Sequence, residues 1–273
     1  MPYQPAPAAR YPVASGKVVY QNAGGFVDAS NASQGYIMAC YTGDPNKRGK
    51  LRLVCNGVTY NYDISSSGKL ETFILNMGSG SYTVSIWQQT EGTRYTQLFS
   101  QSFSVSLSSS LSPYLYPSRI VNYNAASAAV AKAKSLCVNA RNDVQRVSAI
   151  YRYIIANVSY DYNKIGNMET GYVPNIDSTL SSRKGICYDY AALMACMLRS
   201  QGIPTQLITG NVAGGGYHAW NMVYVQNGGK ITDHITAAAN KYTLLDATYG
   251  AAKSDSYMAQ FTAGGNYSVK YRY

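Results

Sequence analysis

The chain has 273 residues, of which 46% are apolar, enough for one large or two modest domains with real cores. Its net charge of +10 reflects a shortage of acids, 13 against 23 bases, and the bases are scattered, with no long basic run and no helix-turn-helix, zinc or RNP-type signature. Nucleic-acid binding is therefore set aside, and a basic surface of this kind suits anionic wall polymers instead. No apolar run reaches the roughly 18 residues of a transmembrane segment. Acidic clusters with calcium-loop spacing and CxxC pairs are both missing, so neither a metal nor a cofactor is expected.

The start, MPYQPAPAARYPVASG, lacks the charged and apolar regions of a signal peptide and reads as a Pro/Ala-rich lead. Residues 16–112 read as a β-domain. Short strands are expected at 17–21, 35–41, 50–55, 58–63, 70–75, 81–88, 94–99 and 102–107, separated by turn clusters such as GDPN and EG. Asn56-Gly57 between two of them is a strong hairpin signal. Strands of this number and length imply a β-sandwich of immunoglobulin-like size, and the 27 tyrosines against 5 phenylalanines fit partly exposed sheets. This half has no histidine and only five acids, so spacing or adhesion is its expected role. Cys40 and Cys55 lie on separate predicted strands, and read either as a pair or as free buried thiols; an odd total of five cysteines argues against a disulfide scaffold.

The serine- and proline-rich stretch SLSSSLSPYLYPS marks the boundary to a second domain, 118–273. There 125–139 is alanine-rich and predicts a helix. Asn142 is placed to cap a second helix, whose apolar positions Val144, Val147, Ile150, Tyr151, Ile154, Ile155 and Val158 form one face that packs on the next long helix. A loop without secondary structure is expected over 163–182, long enough to line a cleft.

That next helix is announced by KGICYDYAALMACMLR: after Gly185 no Gly or Pro follows until Gly202 and Pro204, so Cys187 falls in the first helical turn. Unpaired N–H groups and the positive end of the helix dipole favour a thiolate there. Cys196, on the same helix, reads as a buried small apolar residue. Only two histidines exist. His234 has no chemical context, whereas His218 follows a glycine turn in the alternating run GGGYHAWNMVYV, 31 residues after Cys187. Asp246 ends the apolar run YTLL a further 28 residues on. A nucleophile, a base and an orienting acid are thus available in chain order. The segment 257–273 is expected to close the sheet.

In GICYDYAALMACMLRSQGIP, YHAW and LDATYG, the chain resembles the transglutaminase-like superfamily, which includes transglutaminases, cysteine peptidases and amidases. The resemblance covers about 119–249 and implies an α+β, papain-related cysteine-protease-type domain whose catalytic residues are Cys187, His218 and Asp246. Members often place a Tyr-Asp pair near the cleft. Tyr160 is thereby a candidate oxyanion or pocket-wall residue, its plain reading being a tyrosine that ends an amphipathic helix. The implied reaction is acyl transfer through a cysteine thioester, by hydrolysis or cross-linking, on a protein or peptide substrate. A cell-wall peptide in an extracellular or wall-associated setting is the expected substrate. The competing expectation is a non-catalytic surface adhesion protein that keeps the fold.

Overall fold

The computed structural model describes residues 5–169 and 171–273. They form two compact units, 12–119 and 120–273, with residues 5–11 belonging to the second.

The first unit is built from eight strands, β1 (Val19–Asn22), β2 (Gly25–Asp28), β3 (Tyr36–Tyr41), β4 (Gly49–Cys55), β5 (Val58–Ile64), β6 (Glu71–Ile74), β7 (Gly80–Gln89) and β8 (Tyr95–Val105). They pair antiparallel in two four-stranded sheets, ordered β1-β2-β3-β6 and β5-β4-β7-β8. Alternation sets their faces. Leu51, Leu53 and Cys55 of β4 are buried, while Arg52 between them is exposed. Asn56 and Gly57 have φ of 51° and 74° and join β4 to β5 as the two-residue hairpin their sequence predicts.

Three features depart from the sequence expectation. The strands expected at 94–99 and 102–107 are one: Ser100 and Gln101 pair with Ser85 and Val84, and β8 takes up Leu98 as an extra residue between the Ile86–Phe99 and Trp87–Gln97 pairs, so the ladder with β7 continues past it. The strand β2 has only four residues, too few to show alternation. The stretch 106–118, read as the domain boundary, does run up to the division between the units, but it is packed and not open chain: its 3-10 turn Ser112–Leu115 is buried, and Tyr116 packs on Tyr36 with ring centroids 4.6 Å apart. Large apolar side chains at 114–116 outweigh the turn-forming composition around them.

The second unit opens with α1 (Ala128–Leu136) and α2 (Asp143–Asn157). Asn142 caps α2 by accepting from Gln145 N at 2.9 Å, and Val144, Val147, Ile150, Tyr151 and Ile154 are buried on the face that meets the helix beginning at Cys187. After β9 (Ser159–Tyr160), the region expected to be an irregular loop holds two short helices, α3 (Tyr162–Gly166) and α4 (Ile176–Ser182). Asp161 and Asn175 cap them through Lys164 N and Ser178 N, so the polar residues that suggested a loop are helix caps. Next come β10 (Lys184–Gly185), α5 (Cys187–Arg199), β11 (Thr205–Val212), β12 (Gly216–Val225), β13 (Gly229–Lys230), β14 (Thr236–Ala237) and β15 (Lys241–Leu245). The chain ends with α6 (Ala247–Ala252), α7 (Asp255–Ala263) and β16 (Tyr267–Arg272). Only the last part of 257–273 therefore joins the sheet, Ser254 having started a helix first by accepting from Tyr257 N.

The sheet is antiparallel in the order β15-β12-β11-β16, and α5 lies against β11 and β12. Ile208, Val212 and Trp220 form a buried cluster here, joined by Tyr249, Phe261 and Tyr267. Gly210 stands opposite His218, and a β-carbon on it would press on the Ser268 carbonyl and the Trp220 ring. Gly210→Ala is expected to destabilise the protein by about 1–3 kcal/mol through overpacking, seen as a lower urea midpoint at unchanged slope. A midpoint equal to that of the native chain would show that the strand can shift to make room.

Candidate active site

Three local structures bring Cys187, His218 and Asp246 together. Cys187 is the first residue of α5 and is half-buried. The turn before it is fixed by Asp189, whose carboxylate has no solvent exposure and accepts from Ile186 N at 2.9 Å, from Lys164 Nζ at 2.8 Å and from the Tyr172 hydroxyl. Further along, Asn221 of β12 donates to the Ala191 carbonyl at 3.0 Å, holding the helix to the sheet. Gly185 is needed because a β-carbon there would meet the Asp189 side chain.

His218 lies near the start of β12, after the glycine turn 214–216, and is 6% exposed. Asp246 follows β15 and caps α6 with one oxygen: Oδ1 accepts from Thr248 N and Tyr249 N, each at 3.0 Å. Its second oxygen, Oδ2, receives His218 Nε2 at 2.7 Å and the Tyr267 hydroxyl at 2.9 Å. All the polar capacity of this buried carboxylate that matters to its orientation is in use. The imidazole lies parallel to the Tyr249 ring at 4.8 Å, with the Trp220 ring beyond at 6.3 Å.

Burial alone would pull the His218 pKa down. Hydrogen bonds with Asp246 and with Cys187, and their charges, outweigh it and push the value up to about 9 from 6.5. With Nε2 on Asp246, Nδ1 is the nitrogen left for the sulfur. At neutral pH the ring is thus an imidazolium that donates on both sides. Because the folded value is the higher one, the pair's contribution to stability is complete below pH 6.5 and is lost as pH rises through about 9.

Tyr160 sits beside this pair. It belongs to β9, which runs parallel to β10, and is the register partner of Gly185, two residues before Cys187. Burial, with the Cys187 charge adding to it, pushes its phenol up to about 12, so it is a neutral O–H donor. Its ring is 5.0 Å from that of Tyr162. His234 is exposed and Cys196 is fully buried, neither near this cluster of hydrogen bonds, and all five cysteines are free thiols.

The sequence reading overlooked three residues. Tyr249 lies inside the LDATYG motif and was visible there as the next bulky side chain after the acid. Asp189 is two positions past Cys187, a carboxylate in an otherwise apolar helix, which is itself a signal. Tyr267 reaches Asp246 from a terminal strand 21 residues away and carries no local mark.

A thiol at a helix start beside a buried histidine–aspartate pair on an antiparallel sheet is an arrangement that can carry cysteine acyl chemistry. Residues 130–231 match the model of the transglutaminase-like superfamily. The matched stretch contains Cys187 and His218 and ends before Asp246. No curated protein matches the chain in sequence. Among solved structures the chain is similar to a candidate cysteine protease of Cytophaga hutchinsonii, with 17% identity over 84% of this chain and 72% of that one and a TM-score of 0.44. It is also similar to red sea bream transglutaminase (12%, 78% and 48%, TM-score 0.36) and to a candidate protease of Parabacteroides distasonis (15%, 66% and 36%, TM-score 0.33). The chain thus spans about half the length of the bream enzyme and about a third of the Parabacteroides protein. Among the described residues no helix is long and apolar enough to cross a membrane.

Proposed function

We propose that the protein is a thiol-dependent acyl-transfer enzyme acting on peptide or carboxamide bonds, with Cys187 as nucleophile, His218 as acid and base, and Asp246 as the orienting acid. The observation that carries this reading is the position of His218, which binds Asp246 Oδ2 through Nε2 at 2.7 Å while its other side bonds the Cys187 thiol. The sulfur attacks the carbonyl carbon and a C–S bond forms. His218 gives its Nδ1 proton to the departing amine as the C–N bond breaks, leaving a thioester and a neutral imidazole. Water or an amine then attacks the thioester, His218 takes the incoming proton, and the sulfur leaves.

The oxyanion of each tetrahedral intermediate falls to the Cys187 N–H, which has no acceptor within the helix, and to the neutral Tyr160 hydroxyl beside it. Donors of this kind are worth about 3–4 kcal/mol each. The net charge of +10 fits an extracellular or wall-bound setting in which peptides of anionic polymers are the substrates.

Alkylation and mass spectrometry test the reading. Iodoacetamide at pH 6–7 is expected to label Cys187 before Cys40, Cys55, Cys137 and Cys196, of which all are pushed up by burial. His218→Ala should remove that lead. Incubation with peptide or glutamine donors should leave an acyl adduct on Cys187 that disappears with hydroxylamine and is missing in Cys187→Ala. Uniform labelling together with no adduct would sink the enzyme reading.

A further inference from the structure

The first unit carries a site that acyl transfer does not use. On the outward face of β5-β4-β7-β8, a groove of about 310 Å³ is lined by Lys50, Arg52, Asn61, Trp87, Thr93 and Tyr95. Register places these side chains together: Lys50 stands opposite Trp87, and Arg52 opposite Asn61. The alternate residues Leu51, Leu53, Tyr62 and Ile86 fill the buried side.

The indole is fixed in place. Trp87 Nε1 donates to the buried Ser85 Oγ at 2.8 Å, two residues back on the same face, which ties the ring along the strand. The Arg52 guanidinium lies 5.1 Å from the ring centroid, and its Nε donates to Asn61 Oδ1 at 2.9 Å, so it too is oriented. Thr93 and Tyr95 form a wall where β8 begins. Charge on this face is unbalanced, since Arg48 and Lys50 share the single carboxylate of Asp63, at 3.2 and 2.7 Å, and Arg52 is a third cation.

A surface aromatic tethered by its own N–H beside a guanidinium, an amide and a hydroxyl has the elements that recognise a sugar ring: a π face for its C–H groups, and directed donors for its polar edge. The excess of cations selects an acidic sugar. The volume lies at the low end for ligand sites and suits one or two rings. Single-stranded nucleic acid asks for successive stacking platforms along a basic track, which one bounded groove with one indole does not supply. We propose that this groove binds a carboxylated saccharide, with Trp87 and Tyr95 against the ring faces, Arg52 on the carboxylate, and Asn61 and Thr93 on hydroxyls. The β-unit then holds the enzyme on an acidic polysaccharide.

The two tryptophans of the chain make the test direct, because Trp220 is buried and Trp87 is not. Titration of the full chain with trigalacturonate is expected to change tryptophan emission saturably, while neutral maltotriose has little effect. Arg52→Gln and Asn61→Ala, both at exposed positions, should each weaken the trigalacturonate affinity about tenfold. In polygalacturonate gels the native chain should be retarded and Trp87→Ala, checked for folding by circular dichroism, should run free. Lys241→Gln removes the same charge from the other unit and should stay retarded. The proposal is overturned if no saturable change occurs, if maltotriose or oligothymidylate binds as well as the acidic sugar, or if Arg52→Gln and Lys241→Gln behave alike, which would mean bulk charge only.

Discussion

Asp246→Asn is expected to lower acyl transfer by about three to four orders of magnitude, and to lower stability near neutral pH as well, because the charge that raises His218 goes with it. The helix cap decides how the new amide sits. Thr248 N and Tyr249 N require an acceptor at the Oδ1 position, so the asparagine keeps its oxygen there and its NH₂ takes the place of Oδ2. That NH₂ faces His218 Nε2 and the Tyr267 hydroxyl, where an acceptor stood before. Imidazole Nε2 must then be unprotonated, which reverses the tautomer and removes the cause that raised the ring to about 9. The proton of the neutral ring then sits on Nδ1, so His218 cannot take the proton of the Cys187 thiol at pH 7, and a neutral N–H is far too weak an acid to protonate the leaving amine. Turnover of any donor that acylates Cys187 reports the loss. The pH dependence of Cys187 alkylation should also change form, since the imidazolium that persists to about pH 9 in the native protein is gone. A variant within tenfold of the native rate, with the same alkylation profile, would remove Asp246 from the mechanism.

How far the sequence carried these conclusions differs along the chain, for physical reasons. Local signals were readable wherever one short stretch sets the geometry. Asn56-Gly57 turns the chain with both residues in the left-handed region, Asn142 starts α2, and α5 begins at Cys187 after a glycine that no larger residue could replace. The ordered Cys, His and Asp motifs pointed to three side chains which the fold does bring into one hydrogen-bonded line.

What escaped depends on contacts made at a distance. Nothing near Tyr114 and Tyr116 says that a serine-rich segment will find Tyr36 to pack on, and nothing in YSVKYR says that its first tyrosine will bond Asp246. The helices α3, α4 and α7 are five to nine residues long, too short to show a clear apolar period, so their caps resemble loop composition until the backbone is seen. Two strands expected at 94–107 merged because Ser100 and Gln101 between them stay paired with Ser85 and Val84 of β7, a long-range register that the sequence of β8 alone does not reveal.

The largest effect on stability is expected at Asp189, whose role is legible only from the same long-range geometry. Its carboxylate joins three segments that are remote or sharply turned in sequence: the Ile186 N–H before the nucleophile, the Lys164 ammonium of α3 and the Tyr172 hydroxyl. Lys164 also lies over the Tyr172 ring at 4.5 Å, so one loop is closed on the start of α5 by a single buried acceptor. Asp189→Ala strands the N–H of buried Ile186 and leaves the ammonium without its partner. Removing one member of a buried pair costs about 3–5 kcal/mol, and because the Lys164 side chain keeps 30% of its exposure, a value near the lower end is expected. That is still a large part of the ~5–15 kcal/mol that holds a typical domain folded. Asp189→Asn retains an acceptor for Ile186 N and gives up mainly the charge, so it should cost distinctly less. Lys164→Met, which keeps both remaining donors on the carboxylate, isolates the ion pair. Denaturant midpoints give the three stabilities. The chemical consequence is read separately, from Cys187 alkylation under fully native conditions, where a loosened first turn should slow labelling in Asp189→Ala more than in Lys164→Met. A midpoint for Asp189→Ala within the equivalent of about 1 kcal/mol of the native protein would mean that water replaces the carboxylate at no great cost, and that the turn holding the nucleophile is fixed by the sheet beneath it.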